Sequence, residues 1–139
     1  NMKKIMTFMM VFLSNLLMAQ NVELASNNST KSKAVISWEK TKQDLGKIPQ
    51  GKPVSITYEF TNTGNAPLII ASVSPSCGCT TNDFTKNSIA PGKKGFITLT
   101  FNAAIAGSFT KSATVNTNAE PGQILLYFNG EVVSENTSR

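Results

Sequence analysis

Two stretches decide the fold of this 139-residue chain, "VSITYEF" at residues 54–60 and "GFITLTF" at residues 95–101. In the first stretch, apolar side chains alternate with Ser55, Thr57 and Glu59, and the second alternates aliphatic or aromatic residues with threonines. Successive side chains of a β-strand point to opposite faces, so an apolar residue at every second position indicates a strand with one buried face. Both stretches are therefore predicted to be strands of a packed sheet.

The same reasoning extends outward along the chain. The stretches "PLIIASV" (67–73) and "QILLYFNGEVV" (123–133) are more continuously apolar, which is typical of strands in the middle of a packed sheet. The stretch "SFTKSATVNT" (108–117) predicts a weaker strand. The first strand is expected within "VISWEKTKQDLGKI" (35–48), where Trp38 serves as a packing anchor at the core or sheet edge.

Turn residues separate these stretches. Pro91–Gly92 and Pro121–Gly122 each predict a type II turn, because proline presets φ at the second position and glycine accepts the positive φ at the third. About seven short strands with such turns predict an all-β, immunoglobulin-like antiparallel β-sandwich, and an antiparallel barrel is the alternative. The residues expected inside this fold are Tyr58, Phe60, Ile97, Leu99, Phe101 and Phe128.

The first twenty residues, "NMKKIMTFMMVFLSNLLMAQ", differ in character from the rest. Two lysines precede an apolar run at residues 5–18, which is shorter than the roughly 20 apolar residues of a bilayer-spanning helix. A basic start, an apolar run and a small residue at its end predict a secretory signal peptide, cut after Ala19. Leu17 makes the cleavage site imperfect, because a small residue is usual there. Asn1 precedes the start methionine and is expected to be a remnant.

The expected product is a periplasmic or secreted protein with no membrane span after leader removal. The segment after the leader is polar, rich in Ser, Asn, Thr and Lys, and is predicted to be flexible. The predicted organisation is a signal peptide at 1–19, a flexible segment at 20–34, the sandwich at 35–133 and a tail at 134–139.

Charge argues against a nucleic-acid partner. The formal net charge of +5 falls to +3 when Lys3 and Lys4 leave with the signal peptide. The remaining lysines are scattered, and no aromatic residues alternate with a basic run. A nucleic-acid interface requires clustered basic residues in a recognisable module, so a mildly basic surface is the preferred interpretation.

The chain contains no histidine, and this excludes most hydrolase mechanisms. A Ser-His-Asp or Cys-His site and a His-ligated catalytic zinc are impossible within it. The eight acidic residues are dispersed, so no carboxylate pair is nominated, and no glycine-rich phosphate loop is present. An enzyme that uses Lys, Ser or Asp has no motif to support it. We expect a protein without catalytic activity and without a cofactor.

The only cysteines, Cys77 and Cys79, are separated by Gly78. Residues two apart in a strand have α-carbons about 6.6 Å apart, near the upper limit of about 6.8 Å for a disulfide. Gly78 allows the chain to bend, so a disulfide between them is predicted in an oxidising compartment. In the reduced state, the two thiolates are also candidate ligands for a soft metal such as Cu(I). Two idle thiols or an inert disulfide are the simpler alternatives.

Several short motifs resemble one protein family. They are "SCGCT" at 76–80, "NTG" at 62–64 with "PL" at 67–68, and "APG" at 90–92. Together, over about residues 48–133, they are similar to the bacterial DUF1573 family, which is related to Hydin-like and major-sperm-protein-like domains. The resemblance implies an immunoglobulin-like sandwich in an exported bacterial protein. It supplies no established activity.

Two functional hypotheses follow from these features. The first is a non-catalytic binding or scaffolding module of the cell envelope, which meets another envelope protein through exposed sheet edges. The second is a thiol-redox or soft-metal protein that uses Cys77 and Cys79.

Overall fold

The computed structural model describes residues 31–135, and within that range the chain forms eight strands and no helix. The strands are β1 (Ile36–Trp38), β2 (Lys42–Pro49), β3 (Val54–Asn62), β4 (Ile70–Pro75), β5 (Thr80–Phe84), β6 (Lys94–Phe101), β7 (Gly107–Thr117) and β8 (Gln123–Val133). The sequence predicts about seven strands. The structure differs because the stretch at 35–48 breaks into β1 and β2, and because β5 lacks the alternation that marks the other strands.

The strands form two four-stranded sheets, with the orders β1-β3-β6-β5 and β2-β8-β7-β4. Within residues 31–135, each sheet has two edge strands and does not close on itself, so this part of the chain is a sandwich rather than a closed barrel. Five strand pairs are antiparallel, as predicted, but β2 pairs with β8 in parallel. The prediction of a purely antiparallel sandwich is wrong for that pair. The break after Trp38 explains it, because the chain leaves one sheet there and enters the other.

The pairing of β3 with β6 follows the predicted alternation. Tyr58 lies opposite Ile97, and both side chains are buried. On the outer face, the hydroxyls of Thr57 and Thr98 are hydrogen-bonded at 3.1 Å. All six residues predicted to lie inside the fold are at most 4% exposed, which confirms the assignment of faces.

The continuously apolar stretches have different outcomes. The stretch at 123–133 forms β8, which lies between β2 and β7, in the middle of its sheet as predicted. The stretch at 67–73 contributes to β4, an edge strand, so the prediction of a central strand is wrong there. Its side chains alternate after all, since Leu68 and Ile70 are buried while Ile69 is 47% exposed. Strand β7, predicted to be weak, has 11 residues and an inner position.

Trp38 lies on the edge strand β1 and packs against Phe60, with ring centroids 5.0 Å apart. This contact confirms the predicted packing role. Its indole N–H is buried and has no hydrogen-bond partner among the residues that the structure describes.

One of the two predicted type II turns is present. Gly92 has a φ of +79°, and the amide of Lys93 donates a hydrogen bond to the carbonyl of Ala90 at 3.0 Å. The other prediction is wrong, because Gly122 does not have the positive φ that a type II turn requires. That connection closes instead through a hydrogen bond from the amide of Thr117 to the carbonyl of Gly122.

The predicted signal peptide and most of the flexible segment at 20–34 lie outside the described residues, as do residues 136–139 of the tail. Within residues 31–135, no helix is long and apolar enough to cross a membrane.

Candidate functional site

Two of the motif groups meet at one buried side chain, Asn62. Its amide nitrogen donates hydrogen bonds to the carbonyls of Ala66 at 2.8 Å and Ile89 at 2.9 Å, and its Oδ1 accepts one from the amide of Gly64. Its backbone carbonyl accepts a further hydrogen bond from the amide of Gly92 at 2.7 Å. The "NTG" and "APG" motifs therefore share a structural role, which is to join the two loops at this end of the sandwich.

Gly64 is required there by a close approach of the chain. A β-carbon at this position would lie 2.2 Å from the carbonyl oxygen of Lys33 and 2.5 Å from the amide nitrogen of Val35. Both are backbone atoms that cannot move away as a flexible side chain would. The glycine in this motif is therefore explained by packing.

The third motif, "SCGCT", lies at the opposite end of β6 and is not explained in this way. Strand β6 begins beside Asn62, where Lys94 pairs with Thr61, and ends at Phe101, which pairs with Thr80. Residues 76–79 connect β4 to β5, which are edge strands of different sheets. The Cys-Gly-Cys turn therefore crosses from one sheet to the other at the side of the sandwich.

Within this turn, the sulfur atoms of Cys77 and Cys79 are placed as a disulfide, with the α-carbons 5.3 Å apart. The separation is shorter than the strand spacing used for the prediction, because the two residues lie in a turn rather than in a strand. Both cysteines are partly exposed. Gly78 is exposed, and a β-carbon on it would meet no atom within 4 Å.

Backbone hydrogen bonds hold the turn at both ends. The amide of Ser76 donates to the carbonyl of Ser112 at 2.8 Å, and the amide of Ser112 donates to the hydroxyl of Ser76 at 3.2 Å. At the other end, the amide of Asn102 donates to the carbonyl of Cys79 at 3.0 Å. The turn is thus fixed to β7 and to the end of β6 without relying on the disulfide.

A cleft of about 270 Å³ opens beside Cys79. Its apolar lining includes Phe101 and Phe109, whose ring centroids are 4.6 Å apart, and Ile105, which is 82% exposed. Among the residues that the structure describes, Lys111 is the one charged residue that lines it. The remaining lining residues are small or uncharged: Asn102, Ala104, Ala106, Gly107 and Ser108.

Two hydrogen bonds anchor the loop that carries Ile105. The carbonyl of Ala103 accepts a hydrogen bond from the amide of Gly51 at 2.9 Å, and the carbonyl of Ala104 accepts one from the side chain of Gln50 at 3.0 Å. Ala103 itself is fully buried and has a φ of +50°. The loop therefore holds Ile105 in a fixed and exposed position.

Sequence reasoning identified Cys77 and Cys79 but missed Ile105, Phe109 and Lys111 as their neighbours. One signal was available, since Ile105 is an isolated large apolar residue among small ones in the turn "NAAIAGS" at residues 102–108. Nothing in the sequence alone indicates that this turn packs next to the cysteines.

A second depression, of about 260 Å³, lies at the β1 and β3 side of the sandwich. It is polar, and its lining includes Glu39, Lys40, Gln43 and Glu59. The sequence alone did not indicate that the two glutamates lie close together. The amide of Glu39 donates a hydrogen bond to the carbonyl of Glu59 at 3.0 Å, which fixes the two backbones side by side. No histidine is available to complete a catalytic group around them.

The metal hypothesis for the two cysteines stays a prediction. Among residues 31–135, no group of three or more His, Cys, Asp or Glu side chains is arranged to hold a metal ion. A soft ion at Cys77 and Cys79 would therefore have two sulfur ligands from the part of the chain that the structure describes.

Fold and site together define an all-β sandwich domain of immunoglobulin-like type, with a Cys-Gly-Cys turn beside an apolar cleft. The family model described as "protein of unknown function (DUF1573)" matches residues 36–132, and the chain belongs to this family. The resemblance seen in the sequence motifs is thereby confirmed. A search of curated proteins found no significant match.

Solved structures share the fold. A protein of unknown function from Porphyromonas gingivalis has a TM-score of 0.63 at 17% identity, over 73% of this chain and 48% of that one. The VesB protease of Vibrio cholerae has a TM-score of 0.60 at 15% identity, over 70% of this chain and 32% of that one. PapD-like domain 7 of human CEP192 has a TM-score of 0.57 at 10% identity, over 74% and 87% respectively.

These likenesses show the fold alone, because the identities are low and one fold hosts many functions. This chain spans about half the length of the Porphyromonas protein and about a third of VesB. The protease activity named for VesB therefore says nothing about this chain.

Proposed function

We propose that this chain is an exported, non-catalytic binding module of the bacterial cell envelope. In this proposal, the cleft beside Cys79 holds an apolar side chain from an acidic segment of another envelope protein. The observation that carries it is the exposed Ile105 on an anchored loop, beside a concave surface formed by Phe101 and Phe109. Apolar side chains seated in such pockets supply much of the affinity of protein interfaces.

The charge of the cleft favours an acidic partner segment. Lys111 lines the cleft, and no acidic residue of the described range 31–135 does. An acidic residue next to the apolar anchor would be attracted to the lysine, whereas a basic one would be repelled. We therefore assign the cleft to a segment in which a large apolar residue is flanked by aspartate or glutamate.

The nearby sheet edges also favour this cleft as the binding site of the partner segment. The edge strands β4 and β5 flank the Cys-Gly-Cys turn, and unpaired edges can accept the backbone of an extended segment. A segment anchored in the cleft would thus lie near two edge strands of the module.

The experiment is an NMR titration of the ¹⁵N-labelled protein with two acidic peptides that differ only in a central phenylalanine or alanine. We expect the phenylalanine peptide to shift the amide signals of residues 102–111 and to bind at least about tenfold more tightly than the alanine peptide. Ile105→Asp should abolish this preference.

The matched control is Leu125→Asp, which places the same charge on another exposed apolar residue, away from the cleft. It should leave binding unchanged. Equal affinity for the two peptides, or equal effects of the two aspartate variants, would overturn the assignment of the cleft.

A further inference from the structure

We propose that the Cys77–Cys79 disulfide undergoes thiol–disulfide exchange with a cysteine of the bound segment, and that Cys79 is the residue that becomes linked to it. This inference rests on the proposed function, since the cleft must hold the segment before its thiol reacts. It adds a covalent activity to a module that otherwise only binds.

Position relative to the cleft distinguishes the two cysteines. Cys79 lines the apolar cleft, whereas Cys77 does not. A thiol delivered by a segment in the cleft therefore meets Cys79 first. Both cysteines are partly exposed, and the exposed Gly78 between them has no side chain that could cover the disulfide.

The charged and polar neighbours suit the reaction. The attacking species in exchange is a thiolate, and the positively charged Lys111 lines the cleft. A nearby lysine stabilises a thiolate and lowers the pKa of the attacking thiol. The hydroxyl of Thr80 lies 3.7 Å from the sulfur of Cys77 and 3.9 Å from that of Cys79, so it can donate a weak hydrogen bond to the thiolate that departs on Cys77.

The turn tolerates opening of the bond. A ring closed over three residues removes little chain entropy from the unfolded state, so little is lost when it opens. The hydrogen bonds from Ser76 to Ser112 and from Asn102 to Cys79 use backbone groups and survive the reaction. The site can therefore react without unfolding the edge strands.

The step balances as a simple exchange. The partner thiolate attacks the sulfur of Cys79, a bond forms between them, and the bond between Cys79 and Cys77 breaks. The electron pair of the broken bond leaves on Cys77 as a thiolate, which takes a proton from water. One disulfide is lost and one is formed, so no external oxidant or reductant is needed. Attack by Cys77 on Cys79 reverses the step and releases the partner.

The experiment uses the oxidised, purified protein and three acidic peptides of equal length. The first carries a cysteine next to a phenylalanine, the second replaces the phenylalanine by alanine, and the third replaces the cysteine by serine. Intact mass spectrometry without reductant follows formation of the mixed disulfide, and peptide mapping locates it. We expect an adduct on Cys79 that forms at least about tenfold faster with the phenylalanine–cysteine peptide than with the alanine–cysteine peptide.

A charge variant tests the role assigned to the cleft lysine. Lys111→Gln should slow the reaction about threefold or more, because the thiolate loses its positive neighbour. Lys93→Gln is the matched control, since it removes an exposed lysine at the Asn62 end of the sandwich, and it should leave the rate unchanged. Equal slowing by both variants would contradict the local role of Lys111.

The serine peptide separates this inference from the proposed function. If it binds the cleft while the cysteine peptides form no adduct, or form it on Cys77, the exchange is wrong and the binding module stands. If it does not bind and the two cysteine peptides react at equal rates, both proposals are wrong.

Discussion

The hydroxyl of Tyr58 donates a hydrogen bond of 2.6 Å to the backbone carbonyl of Tyr127, and this bond joins the two sheets of the sandwich. The ring of Tyr58 is 1% exposed and lies in the core, so its polar end needs such a partner. Burial raises the pKa of the Tyr58 phenol to about 12.

This raised pKa predicts a loss of stability at high pH. The phenol of an unfolded chain titrates near pH 10, so folding favours the protonated form of Tyr58. Its contribution to stability is fully present below about pH 10 and is lost as the pH rises towards about 12, by at most about 1.4 kcal/mol per pH unit. Urea unfolding at about pH 8 and about pH 11 measures the difference.

Tyr58→Phe is the matched variant for that measurement. It removes the titrating group and leaves the Tyr127 carbonyl without this donor, at a cost of about 1–3 kcal/mol at neutral pH. The two proteins differ in one ionisable group, so the difference between their two slopes reports Tyr58. Identical pH slopes in the two proteins would contradict the prediction.

We expect the buried polar side chain of Asn62 to contribute strongly to the stability of the fold. Asn62→Ala removes the donors to the carbonyls of Ala66 and Ile89 and the acceptor for the amide of Gly64. We expect a loss of about 2–4 kcal/mol in the free energy of unfolding, because buried backbone groups lose their partners. Asn87→Ala, at an exposed site in the connection from β5 to β6, is the control and should cost less than about 0.5 kcal/mol. Equal losses of stability in the two variants would show that Asn62 does not hold the two loops at this end of the sandwich together.

Phe60 tests the assignment of the core face. It is 1% exposed and packs against Trp38, and its ring occupies the space where a β-carbon on Gly95 would lie. Phe60→Ala should therefore reduce the free energy of unfolding by about 3–5 kcal/mol, the usual range for a buried phenylalanine. Phe96→Ala changes the same residue type on the outer face, at 39% exposure, and should cost much less. A loss below about 1 kcal/mol for Phe60→Ala would contradict the face assignment.

These core positions could be predicted from the sequence, because apolar and polar side chains alternate in a strand with one buried and one solvent-exposed face, as in β3 and β6. Strand β5 could not, since "TTNDF" contributes mainly polar side chains and is held by its pairing with β6. The local sequence pattern does not indicate the parallel pairing of β2 with β8 either, because this pairing joins residues about eighty positions apart. Pairing partners at such distances depend on the whole fold.

The site was predictable only in part, for a related reason. Two cysteines around one glycine are conspicuous in a chain with no others. Ile105 and Lys111 reach the same place because the turn from β6 to β7 packs beside the turn from β4 to β5. That neighbourhood is a property of the sandwich, and period-two patterns carry no information about which turns are adjacent.

Export is predicted by the leader, which lies outside the described residues. Cell fractionation should find a shortened chain outside the cytoplasm, and N-terminal sequencing should place its start near Gln20. Replacing Phe12 and Leu13 by arginine breaks the apolar run and should retain the full-length chain in the cytoplasm. Ser26→Arg, beyond the expected cleavage site, should not affect export. A full-length chain in the cytoplasm without these changes would refute the prediction.

The last prediction concerns the two cysteines as structure. In the chain-entropy model, extrapolated to a loop of three residues, the disulfide contributes only about 1.6 kcal/mol before strain is subtracted. Because backbone hydrogen bonds to Ser112 and from Asn102 hold the turn independently, replacing both Cys77 and Cys79 by serine should leave the fold intact and cost no more than this. Urea unfolding and the NMR spectrum of the double variant measure both effects.

Unreduced wild-type protein should show no free thiols by mass spectrometry, and two free thiols would refute the disulfide. Titration of the reduced protein with Cu(I) against a competing chelator then tests the metal hypothesis, and an affinity no higher than that of the double-serine variant would exclude it.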